Sequence, residues 1–165
     1  IHVESEKGVG SEFSFSIPYR RAGSLKSNFK AHQKDTDAAV INWSNSKCLL
    51  VDDNKDVLLY MNRILLDTGI NVMTARSGAE AIEIIKNNQD IDVLILDMQM
   101  PEMNGIEATR EIRKIRKDIP IIAQTAFIFE DDKDIILEAG CDACLIKPIR
   151  KEHLLTVMSS FLKSV

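Results

Sequence analysis

Three aspartates, a threonine and a lysine hold equivalent places in this sequence: each lies at the end of a short apolar run. Asp52 and Asp53 follow "CLLV" and Asp97 follows "VLIL". Thr125 closes "PIIAQT" and leads into Ala126, while Lys147 follows "ACLI" and precedes Pro148. If these runs are strands of one sheet, the five side chains converge on one rim. Three clustered carboxylates repel one another and need a cation. Oxygen donors without sulfur or imidazole favour Mg²⁺, Mn²⁺ or Ca²⁺. Mg²⁺ keeps several waters and takes one or two carboxylates plus a phosphate oxygen. A carboxylate beside such an ion, with a lysine and a hydroxyl at hand, suits phosphoryl transfer to aspartate, a reaction carried mostly by positioning and electrostatics.

The elements that must position these residues are legible from Lys47 onward. Apolar runs of strand length ("KCLLV", "INVMTA", "DVLIL", "PIIAQT", "ACLI") alternate with amphipathic segments near 55–67, 78–88, 105–117, 131–139 and 150–162. Ser77 and Glu80 form a capping-box pattern at the start of the second helix. Strands that alternate with helices imply parallel pairing and right-handed crossovers. Unbroken apolar runs such as "VLIL" fit strands buried on both faces. The expected fold is a doubly wound, five-stranded parallel α/β domain over 47–165. Ligands in such folds bind at the carboxyl ends of the strands, near the switch in strand order.

Upstream, residues 1–20 read as two short strands around a turn, with Gly8 and Gly10 suiting the tight connection. Residues 21–46 read as a polar linker, interrupted by "AAVINW"; Trp43 either docks on the next domain or is a partly exposed linker aromatic. The chain starts at Ile1, not Met, which suggests a piece of a longer protein. No apolar run approaches the roughly 20 residues of a membrane helix, and the N-terminus does not read as a signal peptide. Net charge is +1 up to Ser46 and −5 thereafter, the wrong sign for a nucleic-acid footprint. Three cysteines argue against a disulfide framework and leave the cytosol as the default compartment. The C-x-x-C of Cys141 and Cys144 has no second pair and no nearby histidine for zinc, so both read as reduced thiols. Met98, Met100 and Met103 read as packing rather than as metal ligands. Arg110, Arg113, Lys114, Arg116 and Lys117 read as one solvated helix face.

"LLVDDN", "VLILDMQMPEMNG", "IIAQTA" and "CLIKPI", in this order and spacing, resemble a response-regulator receiver domain over residues 47–165. The resemblance implies that Asp97 accepts a phosphoryl group from the phosphohistidine of a histidine kinase or a histidine phosphotransfer domain. It implies Mg²⁺, or Mn²⁺ in its place, on Asp53, Asp97 and the backbone carbonyl of Gln99, with Asp52 acting through bound water. Lys147 would pair with a phosphoryl oxygen, and Thr125 would move to bond the phosphoryl group. Pro148 would follow a cis peptide, and Asn104 would cap the third helix. "IHVESEKGVGSEFSFSIP" in turn resembles the last two strands of the ATP-binding domain of sensor histidine kinases. The order kinase tail, linker, receiver is that of a hybrid histidine kinase, whose missing upstream parts could anchor it to a membrane. This piece alone would bind no ATP, and it would contact neither nucleic acid nor membrane.

Two positions depart from the receiver pattern or tune it. Cys144 stands where receivers commonly carry the Tyr or Phe that swings with the threonine, so switching is expected to rest on the Thr125–Ala126 loop and the fourth helix, or on Phe127 or Phe129 in the aromatic's place. Phe127 is also expected to shield the acyl phosphate from water. Among other readings, a haloacid-dehalogenase-like phosphatase needs D-x-D where this chain has Asp97-Met98-Gln99. A flavodoxin-like FMN site needs hydroxyls and glycine where "VDDNKD" presents carboxylates. A stand-alone or degenerate receiver acting as an interaction module is the remaining alternative. Oligomeric state is left open by the sequence.

Overall fold

The computed structural model describes residues 2–16, 41–126 and 130–165. They fall into two units, one within Ile1–Asp37 and one within Ala38–Val165.

The first unit contains an antiparallel hairpin of β1 (His2–Glu6) and β2 (Gly10–Ser14), with His2 opposite Ser14 and Glu6 opposite Gly10. Gly8 (φ 90°) and Gly10 (φ 144°) supply positive φ values that a side chain would resist. The Val9 N–H closes the turn on the Glu6 carbonyl at 3.1 Å. The second strand therefore starts at Gly10, earlier than the alternation of "EFSFSIP" predicts. Val3 and Phe13 pair across the strands and, like Val9 and Phe15, are exposed.

The second unit runs β3 (Lys47–Val51), α1 (Lys55–Leu66), β4 (Asn71–Ala75), α2 (Gly78–Asn87), β5 (Val93–Asp97), α3 (Gly105–Ile115), β6 (Ile121–Thr125), α4 (Glu130–Ala139), β7 (Ala143–Ile146) and α5 (Lys151–Ser159). All five strands are parallel, in the order β4-β3-β5-β6-β7. Successive residues of a strand point to opposite faces. Leu49, Val51, Leu94, Leu96, Ile121 and Ala123 accordingly pack with α2, α3 and α4. Cys48, Leu50, Val93, Ile95, Ile122 and Leu145 pack with α1 and α5. Burial on both faces is why these strands read as continuous apolar runs. The winding direction switches between β3 and β5, so the loops after those strands diverge and leave a crevice at their carboxyl ends. No described helix is long and apolar enough to cross a membrane.

Three local features differ from the sequence reading. Residues 41–46, expected within the linker, belong to the α/β unit. Trp43 is 1% exposed in the core beneath α1 and α5, and its N–H donates to the Thr68 carbonyl at 2.7 Å. The chain end holds the same stretch: Asn42 receives the Val165 N–H at 2.9 Å. An indole is too large an apolar surface to leave in water when a groove at the base of the sheet accepts it. At α2, Ser77 accepts the Glu80 N–H as expected, but the Glu80 carboxylate bonds the N–H of Arg76 rather than that of Ser77. The complete reciprocal box is at α3, between Asn104 and Glu107. Finally, Arg113 and Arg116 are not on a solvated face. Arg113 donates to the carbonyls of Ile119 (2.6 Å) and Gly140 (2.8 Å) and to Asp142 (2.6 Å). Arg116 has left the helix and holds the Gln89 carbonyl at 2.7 Å. The fork of guanidinium donors bonds several loop carbonyls at once, which an ammonium cannot match.

Candidate functional site

The strand ends deliver the predicted residues to one edge. Asp52 directly follows β3, Asp97 is the last residue of β5, Thr125 the last of β6, and Lys147 directly follows β7. Carboxylate oxygens of Asp52, Asp53 and Asp97 lie within 4.8 Å of one another. Asp52 and Asp97 are 1% and 3% exposed, so neither carboxylate is balanced by bulk water. Lys147 answers both: its ammonium donates to Asp52 Oδ2 at 2.9 Å and to Asp97 Oδ2 at 2.8 Å. Their other oxygens accept main-chain N–H groups, Asn54 on Asp52 Oδ1 (2.9 Å) and Gln99 on Asp97 Oδ1 (3.1 Å).

Burial is the largest influence on Asp97 and pushes its carboxyl above the usual range. The Lys147 hydrogen bond, the Gln99 N–H and the lysine charge oppose that push, and the Asp52 charge adds to it. Burial alone would weaken the charge on Lys147, but the hydrogen bonds and charges of Asp97 and Asp52 outweigh it, and the ammonium is held above its ordinary range. Three carboxylates against one ammonium leave the edge short of positive charge. A donor set of oxygens alone, close enough to share one ion, fits a hard divalent cation.

Main-chain bonds continue past the strand ends and fix the loops that carry these residues. The Lys147 N–H donates to the Thr125 carbonyl at 2.8 Å, and the Met98 N–H to the Gln124 carbonyl at 2.9 Å. The Lys147–Pro148 peptide is cis, as the resemblance implies. Met98 and Met100 are buried in the core on the α2–α4 side, with Met103 packed against it. Gly105 at the start of α3 touches the Asp97–Met98 backbone so closely that a side chain there has no room.

Of the proposed switch positions, Thr125 is buried at the rim and Ala126 is an exposed bend. Cys144 sits on β7, half-buried against the core of the α2–α4 face. Phe127 and Phe129 lie outside the described residues. Cys48, Cys141 and Cys144 are all free thiols, each pushed up by burial and so kept protonated. Beside the rim, Val57, Tyr60, Met61, Lys147, Pro148 and Ile149 line a recess of about 280 Å³. Leu59 and Tyr60 on α1 are 69% and 50% exposed.

Sequence reasoning passed over two residues at this edge. Arg76 follows β4, and its guanidinium reaches the Asp53 carbonyl at 3.3 Å. Reading the residue after every strand, β4 included, would have found it. Gln124 is fully buried on β6 directly beside Asp97. A lone polar residue inside the run "IIAQT" was the available signal.

Sheet order and acidic edge together define an α/β domain of the kind that carries its site at the switch point of a parallel sheet. The response regulator receiver domain family matches residues 48–159, most of the second unit. The chain belongs to that family. It is 31% identical over 155 residues to the autoinducer 2 sensor kinase/phosphatase LuxQ of Vibrio parahaemolyticus, a match covering 93% of this chain and 18% of LuxQ. It is 36% identical over 118 residues to the CpxR homolog of Haemophilus influenzae, a transcriptional regulatory protein, covering 72% of this chain and 51% of that one. The chain thus spans a fifth to a half of these relatives. Among solved structures, the chemotaxis protein CheY4 of Vibrio cholerae superimposes with a TM-score of 0.68 at 31% identity, covering 71% of this chain and 98% of its own. The receiver domain of Ssk1 from Saccharomyces cerevisiae, crystallised with the histidine phosphotransfer protein Ypd1, is also similar; the match has a TM-score of 0.67 at 27% identity and covers 70% of this chain and 88% of that chain.

Proposed function

We propose that residues 47–165 form the phosphoacceptor domain of a two-component phosphorelay, with Asp97 as acceptor. The observation that carries this reading is the Lys147 ammonium held 2.8 Å from Asp97 and 2.9 Å from Asp52, beside a third carboxylate. An oxygen of Asp97 attacks the phosphorus of a phosphohistidine. A P–O bond forms, the P–N bond breaks, and the imidazole leaves and takes a proton. The Gln99 N–H on Oδ1 holds the carboxylate in one orientation for that attack. Lys147 stays protonated and transfers its pairing to a phosphoryl oxygen as charge develops there. The Thr125 hydroxyl bonds the phosphoryl group, and the backbone at Thr125–Ala126 transmits the change in place of an aromatic at Cys144. Mg²⁺, or Mn²⁺, bound through Asp53, Asp97 and the Gln99 carbonyl, with Asp52 acting through water, would supply further neutralisation of the transferring group.

The donor docks on α1 in this reading. Leu59 and Tyr60 present apolar surface next to the recess at Lys147, a place for a partner helix bearing the histidine. The likeness to the Ssk1 receiver, crystallised with a phosphotransfer protein, supports such a partner. Residues 1–20 are the closing strands of a kinase ATP-binding domain, the linker lies between them and residue 41, and the parent protein is a cytoplasm-facing hybrid sensor histidine kinase. Support comes from the LuxQ match, which covers 93% of this chain and so extends well upstream of residue 48. The test is phosphorylation by acetyl phosphate with Mg²⁺. Wild type takes up one label and Asp97→Ala none; an unlabelled wild type overturns the reading.

A further inference from the structure

Gln124 is 0% exposed, and neither its amide oxygen nor its amide nitrogen has a hydrogen-bond partner. Among the described residues no other buried side chain is left in that state. Burying an amide without partners is costly, and native proteins rarely do it without a use for the group. Leucine or methionine would fill the same volume at no such cost.

The position shows what the amide is for. Gln124 on β6 pairs in register with Asp97 on β5 and with Leu145 on β7. Alternation from Ile122 puts its side chain on the α1–α5 face, with Ile95 and Asp97 on one flank and Leu145 and Lys147 on the other. Neighbouring strands are about 4.8 Å apart. The amide therefore leaves the sheet beside the acceptor and one rung below the lysine. In this state it bonds to none of the site's atoms, whose hydrogen bonds are made to other donors. Asp97 Oδ1 takes the Gln99 N–H, Oδ2 takes the Lys147 ammonium, and that ammonium is shared with Asp52.

We propose that Gln124 is a positioning residue whose amide is paired only in the phosphorylated state, where its N–H donates to the carbonyl oxygen that Asp97 retains. The inference rests on Asp97 being the acceptor. Phosphorylation turns the carboxylate into an acyl phosphate and draws the Lys147 ammonium toward the phosphoryl oxygens. With Oδ1 as the phosphorylated oxygen, the retained oxygen is Oδ2, which loses its lysine partner next to an amide that had none. Resting and phosphorylated states thus differ by one buried hydrogen bond, which favours the phosphorylated arrangement.

The test uses beryllofluoride with Mg²⁺ as the phosphoryl mimic, on wild type, Gln124→Met and, should that variant fold poorly, Gln124→Leu. The apolar variants should be at least as stable as wild type without the mimic and should bind it about three- to tenfold more weakly, the worth of one net hydrogen bond. In wild type, the Gln124 side-chain NH₂ resonance should shift downfield only after beryllofluoride is added. A purely structural role would move resting stability and leave that affinity ratio and that resonance unchanged. Equal beryllofluoride affinity in wild type and both variants, or an NH₂ resonance already at its hydrogen-bonded shift before the mimic is added, overturns the proposal. A wild type that responds to neither acetyl phosphate nor beryllofluoride overturns the phosphoacceptor reading itself, and this inference with it.

Discussion

Gly105→Ala tests how closely the α3 N-terminus is fitted to the acceptor. Gly105 opens α3, is buried, and donates its N–H to the Met98 carbonyl at 3.1 Å. A methyl on its Cα would lie 2.6 Å from Met98 Cε and 2.7 Å from Met98 Cα, and closer still to the Asp97 carbonyl oxygen. Non-bonded carbons sit comfortably at about 3.5–4.0 Å. Met98 Cε can swing aside, but Met98 Cα and the Asp97 carbonyl are main chain, so backbone must move by about 1 Å. Overpacking of this kind costs about 1–3 kcal/mol, offset by up to about 1 kcal/mol from the better helix propensity of alanine. The same shift displaces Asp97, and a misplacement of about 1 Å at a reacting group costs on the order of 100-fold in rate. Gly78→Ala is the matched control. It too is the first residue of its helix, but its methyl would meet Met103 Sδ at 2.9 Å, Met103 Cγ at 3.0 Å and Ala108 Cβ at 3.0 Å. Most of that obstruction is the end of a flexible side chain, so its cost should stay below about 1 kcal/mol. Urea unfolding midpoints and the initial rate of labelling by acetyl phosphate measure both effects. A Gly105→Ala protein labelled at the wild-type rate, or equal stability losses at the two glycines, would refute the argument.

Trp43→Ala empties a fully buried site and should cost about 3–5 kcal/mol in urea unfolding, although the residue lies N-terminal to the first strand of the sheet. Asn104→Ala removes the side-chain acceptor of the Glu107 N–H, leaving the N–H of residue 104 on the Glu107 carboxylate, and should cost about 1 kcal/mol by the same measurement. Arg113→Ala should cost about 1.5–3 kcal/mol, because the carbonyls of Ile119 and Gly140 lose a charged donor. Arg113→Lys, which keeps the charge and loses the fork, should recover less than half of that.

The sequence made the sheet and the acidic edge legible because both are written in local pattern. "KCLLV" and "ACLI" coincide with β3 and β7, and the polar residues that end the apolar runs are the ones the edge collects. What stayed hidden depends on long-range partners. Trp43 is one indole in a polar stretch, and only the groove formed with α1, α5 and the Thr68 carbonyl makes it core. Arg113 and Arg116 have the spacing of a solvated face, and only the folded loops bring the carbonyls of Gly140 and Gln89 to them. Glu80 has the right offset for a capping box, yet its carboxylate reaches one residue further back. Gln124 reads as a small flaw in an apolar strand until the register with Asp97 is known.

Trp43 is also the single tryptophan of the chain, and it is anchored at the amino-terminal edge of the sheet, opposite the acidic rim. Its emission therefore reports from a place that phosphorylation chemistry does not touch. A red shift signals that the indole has entered water, whether by unfolding or by residues 41–46 peeling away from the base. Steady emission during labelling at Asp97 would mean that the base holds while the rim changes. One intrinsic fluorophore thus separates release of the tether from switching at the acceptor.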